Sequence, residues 1–320
     1  TRGVSVDLQI GTDTLGRPIG SATDYTGTDR LVGVRGIVAT SLNDTIYGTA
    51  FDDRFRPHAG NDIVDGRDGF DMVDYSNNSS SQAVSVNLVT GRANDGRGGA
   101  DTLVSIEQVR AGSGNDTLLG NVFGEAFRGL AGNDSIDGGL GSDRIDYLDT
   151  SATSGVSVNL ITGTASDGRG GFDTFTSIEN AYGSELNDYL VGVGQDGQAT
   201  SRLRGDAGSD TLVGIDGEYV VADYGTQTVG LSVNLASGSV NDGMGGVDSL
   251  INIRGAQMYG NFADTLIGSN GDDLLAPSGG NDSIVGGDGV VVVIISTVQN
   301  GRNHFQLPLI WRRIMNNLLL

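Results

Sequence analysis

Apolar positions return along the chain every nine residues, each two positions after a carboxylate in a glycine-rich turn. Residues 129–137 and 138–146 show the unit twice without a gap, with Ile136 and Ile145 as the central apolar residues. A unit this short has room for one turn and one very short strand. Units of this kind stack on their neighbours and together bury a narrow core. The pattern predicts an all-β solenoid, a parallel β-roll or β-helix built from nonapeptide repeats.

A longer repeat divides the chain into four blocks of similar length. A strand motif with alternating apolar and polar residues opens each block, at 4–8, 84–88, 156–160 and 231–235. A glycine turn follows it at 95–101, 167–173 and 242–248. The alternation indicates a half-buried strand. The predicted organisation is one solenoid over residues 1–289, in blocks 1–75, 76–147, 148–224 and 225–289.

The nine-residue units of each block can be put in register by their carboxylates. These are Asp44, Asp53, Asp62, Asp71, Asp116, Glu125, Asp134, Asp143, Asp188, Asp210, Asp264, Asp273 and Asp282. If two units make one coil, residues two units apart lie on the same edge, one coil above the other. Carboxylates stacked at the strand spacing of roughly 4.8 Å repel one another unless a cation lies between them.

Calcium suits such turns better than other metals. Ca²⁺ takes about six oxygen ligands from carboxylates and backbone carbonyls, whereas Mg²⁺ resists the loss of its waters. Glycines allow the close backbone approach and positive φ that aim carbonyls inward, and Gly129, Gly132, Gly138 and Gly141 are the candidates. The chain has no Cys and only 2 His, so zinc and copper are disfavoured. One such turn alone is explained as well by an Asp-rich turn without metal, but the number in register favours Ca²⁺.

Several units depart from the pattern. Tyr219 and Val291 stand where a carboxylate is expected, Glu125 replaces an aspartate, and Pro57 with His58 replaces the leading glycines. Block three carries a four-residue insertion within 192–204, which is expected to break the stack of coils. We expect the sites at these positions to be weak or empty.

Composition agrees with a cation as the partner. The chain has 320 residues with 40 acidic and 19 basic side chains, and its formal net charge is −21. This excess of acid argues against a nucleic-acid partner. No apolar run is long enough to span a membrane, and no N-terminal export signal is visible, so a start inside a longer gene product is expected. Because the chain has no cysteine, no disulfide can stabilise it in an extracellular setting, and bound metal would have to do so instead.

The nonapeptides resemble the Gly-Gly-x-Gly-x-Asp-x-apolar-x unit of the repeats-in-toxin (RTX, hemolysin-type) calcium-binding family. Residues 138–146 match at every defined position, and 129–137 miss only the second glycine. The resemblance covers roughly residues 40–75, 111–147, 183–222 and 259–289. It implies a parallel β-roll, cooperative Ca²⁺ binding and type I secretion of an unfolded chain. It therefore implies a secreted, extracellular bacterial protein with an uncleaved C-terminal export signal.

The composition changes abruptly after Gly289. Residues 290–320 contain no Asp or Glu, three Arg and the single Trp of the chain. An atypical cap, a reading-frame error and a basic membrane-surface helix over 307–320 are the alternatives, and the export signal is not recognisable there. No function is assigned to this tail.

No catalytic or organic-cofactor site is predicted. The GxGxxG match at 192–197 lacks a βαβ context, and a general-base role for His58 lacks a partner. The first functional hypothesis is a secreted protein that folds on binding Ca²⁺, with a cell-surface or polysaccharide partner left open. The alternative is the C-terminal region of a secreted hydrolase or polysaccharide epimerase whose catalytic domain lies upstream.

Overall fold

The computed structural model describes residues 3–76, 82–148, 151–194 and 200–294. Every regular element in these ranges is a β-strand, most of them only one tripeptide long. No helix long and apolar enough to cross a membrane occurs in these ranges. Most of the predicted tail, residues 295–320, lies outside the described residues.

The strands follow one another in chain order with short turns between them. They are β1 (Ser5–Thr12), β2 (Pro18–Thr23), β3 (Thr28–Val32), β4 (Gly36–Val38), β5 (Thr45–Tyr47), β6 (Arg54–Arg56), β7 (Ile63–Asp65), β8 (Met72–Asp74), β9 (Ser85–Asn87), β10 (Arg92–Asn94), β11 (Ala100–Val104), β12 (Gln108–Arg110), β13 (Thr117–Leu119), β14 (Ala126–Arg128), β15 (Ser135–Asp137), β16 (Arg144–Asp146), β17 (Ser157–Asn159), β18 (Thr164–Ser166), β19 (Phe172–Thr176), β20 (Asn180–Tyr182), β21 (Tyr189–Val191), β22 (Ser201–Arg204), β23 (Thr211–Val213), β24 (Val220–Tyr224), β25 (Ser232–Asn234), β26 (Ser239–Asn241), β27 (Val247–Ile251), β28 (Gly255–Met258), β29 (Thr265–Ile267), β30 (Asp273–Ala276), β31 (Ser283–Val285) and β32 (Val291–Val293).

One coil of the roll consists of two strands and two turns, as the nine-residue period predicts. Strands of successive coils pair in parallel, so that Leu118 of β13 lies beside Ile136 of β15. On the opposite side, Phe127 of β14 lies beside Ile145 of β16. In both pairs the partners are separated by two nine-residue units, which confirms the predicted fold and register. The two sides form separate sheets, of 20 strands (sheet A) and 12 strands (sheet B) in the described chain.

Sheet A contains a feature that the nine-residue period does not predict. At every third coil it receives a three-stranded antiparallel meander in place of a single strand. The meanders are β1–β3, β9–β11, β17–β19 and β25–β27. The parallel neighbours of the second meander are β7, which pairs with β11, and β13, which pairs with β9. The roll is therefore parallel with antiparallel inserts, and one insert opens each of the four blocks.

The core is a single file of apolar side chains between the two sheets. Most short strands turn their central residue inward, and Phe55, Val73, Leu118 and Phe127 are at most 1% exposed. Burying one side chain of this size contributes about 1.5–3 kcal/mol. The predicted apolar position two residues after a carboxylate is therefore the core position, except at Ile284 of β31, which is 36% exposed.

The insertion in block three does not break the stack, contrary to expectation. Leu190 of β21 still lies beside Leu212 of β23, and Ala181 of β20 beside Leu203 of β22. The partners of these pairs are 22 residues apart in the chain, whereas those of a regular coil are 18 apart, because the insertion lies between β21 and β22 in the sequence. A longer connection does not change the register of strands that keep their own pairing partners.

The roll also continues past Gly289, where the sequence pattern ends. Strand β32 pairs in parallel with β30, with Val291 beside Asp273. The N–H of Ile294 donates to the carbonyl of Leu275 at 2.9 Å. Residues 290–294 are apolar and form a strand although Val291 stands at the position of the nonapeptide carboxylate.

Candidate calcium sites in the turns

The predicted carboxylates before sheet A form a hydrogen-bonded ladder along one edge of the roll. In each step the backbone N–H of one aspartate donates to Oδ1 of the aspartate in the next coil. The N–H to Oδ1 distances are 2.7 Å for Asp44 to Asp62, 2.8 Å for Asp116 to Asp134, 2.8 Å for Asp188 to Asp210 and 3.0 Å for Asp264 to Asp282. The ladder fixes the position of one carboxylate oxygen in every turn.

The turns before sheet B carry a second, shorter ladder. Asp53 donates its N–H to Asp71 Oδ1 at 2.7 Å, and Glu125 donates to Asp143 Oδ1 at 2.7 Å. Glu125 thus occupies the place of an aspartate in the ladder. Asp273 lies on the same edge, where its Oδ2 accepts the N–H of Ser269 at 2.6 Å.

Five further carboxylates belong to the ladders, and the nine-residue register did not assign them. Asp101, Asp173 and Asp248 accept the N–H groups of Asp62, Asp134 and Asp210 at 3.0, 3.0 and 3.1 Å, and Glu107 and Glu179 accept those of Asp71 and Asp143 at 2.9 Å each. The three aspartates each precede an apolar residue by two positions, as in the nonapeptides. That signal was available, but the antiparallel meander hides the spacing.

At one end of each sheet-A ladder, the first aspartate of the run accepts a hydrogen bond from the strand motif. Asp116 Oδ1 accepts the N–H of Val84 at 2.6 Å, and Asp188 Oδ1 accepts that of Val156 at 2.7 Å. The strand motif therefore serves as the coil on which each carboxylate run begins.

Eight of the ladder carboxylates each have one buried oxygen without a hydrogen-bond partner. These oxygens are Asp53 Oδ1, Asp62 Oδ2, Asp71 Oδ2, Glu125 Oε1, Asp134 Oδ2, Asp143 Oδ2, Asp210 Oδ2 and Asp264 Oδ2. The residues that carry them are at most 3% exposed. An unsatisfied buried carboxylate oxygen is costly, so its recurrence at equivalent positions fits residues that would hold a cation.

The protonation of these carboxylates is strongly perturbed. Burial, with the charges of neighbouring carboxylates, raises the pKa of Asp134 and of Asp210 to about 8. The same causes raise the pKa of Asp62 and of Asp71 to about 7. Without a cation Asp134 and Asp210 therefore favour the neutral form at pH 7, where Asp62 and Asp71 are about half protonated.

The four predicted glycines lie where no side chain fits. A methyl group on Gly129 would come within 2.0 Å of Asp134 Oδ2, and one on Gly138 within 2.0 Å of the Ser177 carbonyl oxygen. Gly132 and Gly141 have φ of +122° and +133°, and a methyl group on either would meet a carbonyl oxygen of the previous coil at 2.0 Å. Turn carbonyls and carboxylates therefore approach each other closely along the edge.

This arrangement fits calcium. The donors are carboxylate and carbonyl oxygens, which Ca²⁺ prefers. Within the described ranges no three His, Cys, Asp or Glu side chains converge on one point. A cation in a turn would accordingly be held by one or two carboxylates, with carbonyls of the glycine-rich turns completing its shell.

The units that depart from the repeat lie along the same edges, with other side chains in place of the carboxylate or the leading glycines. The guanidinium of Arg254 is 5.8 Å from the ring centre of Tyr219, which stands in place of a carboxylate. Arg97 donates to His58 Nδ1 at 3.2 Å, and burial together with Arg97 lowers the pKa of this histidine. Weak or empty sites at these positions remain a prediction.

A parallel β-roll whose turns stack buried carboxylates defines a metal-binding solenoid with oxygen ligands. The family comparison makes this specific. The chain contains four copies of the RTX calcium-binding nonapeptide repeat, at residues 38–73, 106–122, 119–149 and 259–290. These repeats bind calcium and identify a Ca²⁺-binding repeat protein. The third predicted run, 183–222, is not among the matched segments, and no curated protein matches the chain.

Proposed function

We propose that this protein is a secreted bacterial β-roll that stays unfolded in the cytosol and folds when it meets extracellular Ca²⁺. The observation that carries the proposal is the row of buried, unpartnered carboxylate oxygens along the turns. Folding without a cation would either bury these negative charges beside one another or require their protonation.

Calcium concentration then decides the folding state. Extracellular calcium modules bind with Kd of about 10⁻⁴–10⁻³ M, far above the free Ca²⁺ of a cytosol. A net charge of −21 favours an expanded chain when no cation is bound. Because the sites form only as the coils stack, binding free energy becomes folding free energy. The chain would thus remain exportable inside the cell and become compact outside it.

The proposal assigns no catalysis to the described residues. Their carboxylates are engaged with backbone N–H groups of the next coil, which suits a structural role. A cell-surface or polysaccharide partner stays a prediction, to be tested by binding of the calcium-loaded protein to intact cells and purified polysaccharides.

Limited proteolysis tests the calcium-coupled step. At about 10⁻⁷ M free Ca²⁺ the chain should be cleaved throughout its length, and at about 10⁻² M it should resist. Equal resistance at both concentrations would refute the coupling. Location is tested separately, by detecting the protein in the medium of the producing bacterium; confinement to the cytoplasm would refute secretion alone.

A further inference from the structure

Three junctions between blocks carry a glycine turn outside the matched nonapeptide segments. Its sequence is Asp-Gly-x-Gly-Gly-x-Asp, at residues 95–101, 167–173 and 242–248. The turn joins the second and third strands of a meander. Because the third strand pairs in parallel with the last sheet-A strand of the preceding run, each turn lies beside the turn that precedes that strand.

The last aspartate of the turn is fully engaged. Asp173 Oδ1 accepts the N–H of Asp134 at 3.0 Å, and its Oδ2 accepts the hydroxyl of Tyr147 at 2.8 Å. Asp248 is held in the same way by Asp210 and Tyr224, at 3.1 Å each. Both oxygens of these carboxylates therefore already accept a hydrogen bond within the fold.

The first aspartate of the turn is engaged through one oxygen only. Asp167 Oδ1 accepts the N–H groups of Arg169 and Gly171, both at 2.8 Å. Its Oδ2 has no hydrogen-bond partner, although the residue is only 3% exposed. Asp242 repeats this arrangement, with an unpartnered Oδ2 and 0% exposure.

The unpartnered oxygen and a carbonyl of the preceding coil face the same point. A methyl group placed on Gly171 would lie 2.5 Å from Asp167 Oδ2 and 1.9 Å from the Gly132 carbonyl oxygen. On Gly246 it would lie 2.9 Å from Asp242 Oδ2 and 1.5 Å from the carbonyl oxygen of Gly208. A glycine is required at each place because two oxygens close in on its Cα.

The nonapeptide carboxylate of the same edge adds a further oxygen. Asp134 Oδ2 and Asp210 Oδ2 are also buried without a partner. The N–H of Phe172 donates to Asn133 Oδ1 at 2.8 Å and that of Val247 to Ser209 Oγ at 3.0 Å, so the turns that carry Asp167 and Asp242 lie against those that carry Asp134 and Asp210. Each junction therefore brings two carboxylates near each other, where a plain nonapeptide turn supplies one.

We infer that each junction turn is a second class of Ca²⁺ site, in which Asp167 or Asp242 adds its Oδ2 to the preceding nonapeptide turn. Asp95 holds the equivalent position at the first junction. The donors are carboxylate and carbonyl oxygens, so Ca²⁺ is favoured over softer metals. Such a site rests on the proposed calcium binding. It links a meander to the run before it and so holds adjacent blocks together.

Replacing the two first aspartates by asparagine tests the inference. In the full chain, Asp167→Asn with Asp242→Asn keeps the Oδ1 acceptors of both turns and removes only the unpartnered oxygens. The matched control is Asp13→Asn with Asp24→Asn, since these exposed aspartates also accept turn N–H groups through Oδ1. The readout is bound Ca²⁺ per chain by equilibrium dialysis and elemental analysis. We expect one ion fewer for each junction altered and none lost in the control.

An unchanged ion count in the folded double variant would overturn the inference. If the double variant lacks the wild-type circular dichroism spectrum in saturating Ca²⁺, Asp242→Asn alone takes its place. A second measurement needs no substitution: anomalous diffraction from crystals of the wild-type chain grown with Ca²⁺. Peaks beside Gly171 and Gly246 are expected, and their absence overturns the junction sites. Peaks at the nonapeptide turns report separately on the proposed function.

Discussion

The metal-free roll should be more stable in mild acid than at pH 8, because protons can replace the missing cation. The pKa of Asp134 is about 8 in the fold, against an ordinary value of 3.8. In this range the folded state holds a proton that the unfolded chain has released. Stability is therefore lost as pH rises from the unfolded pKa towards the folded one.

The size of this effect follows from the shift. Each pH unit in the window costs about 1.4 kcal/mol per carboxylate. Between pH 5 and pH 8 the Asp134 carboxyl alone should remove about 4 kcal/mol of unfolding free energy. This is a large part of the roughly 5–15 kcal/mol that is typical of a domain.

The measurement is urea unfolding of calcium-stripped protein, followed by far-UV circular dichroism at pH 5, 6, 7 and 8. The midpoint should fall as pH rises and be lost by pH 8, where the metal-free chain is already unfolded. With saturating Ca²⁺ the trend should reverse, since protons then compete with the metal for the same oxygens. A metal-free midpoint that is constant or rises with pH would refute the reasoning.

Two substitutions test the packing of the calcium-loaded roll. Phe127→Ala should destabilise it by about 3–5 kcal/mol in urea unfolding, because the ring is 0% exposed, whereas Phe123→Ala, at a 66% exposed position, should change it by less than about 0.5 kcal/mol. Arg204→Met should cost about 3–5 kcal/mol because it leaves Asp223 buried without its 2.9 Å ion pair. Arg17→Met removes an exposed ion pair and should cost no more than about 1 kcal/mol. Equal effects in loaded protein for either pair of variants would contradict the assigned burial.

The nine-residue period predicted the coil, its register and the edge on which the carboxylates lie. It succeeded because one feature, an aspartate two positions before an apolar residue, sets both the turn and the core strand. Leu118 and Ile136 therefore pair as expected. The stack also survives the insertion of block three, because the flanking strands keep their parallel partners.

The nine-residue period did not predict the antiparallel meanders. Asp101 follows Asp62 in the ladder by 39 residues, since a whole hairpin lies between two stacked coils. Asp-Tyr pairs recur at 74–75, 146–147 and 223–224, but only the fold shows that Tyr147 bonds Asp173. Long-range pairing of this kind has no local signal in the chain.

The central claim is that Ca²⁺ binding and folding of the roll are one event. Its most direct test is far-UV circular dichroism of the metal-free full chain at pH 8 while free Ca²⁺ is raised to about 10⁻² M. We expect a disordered spectrum at the start and a cooperative change to a β-rich one as the sites fill. A β-rich spectrum already present without metal, and unchanged by Ca²⁺, would contradict the claim.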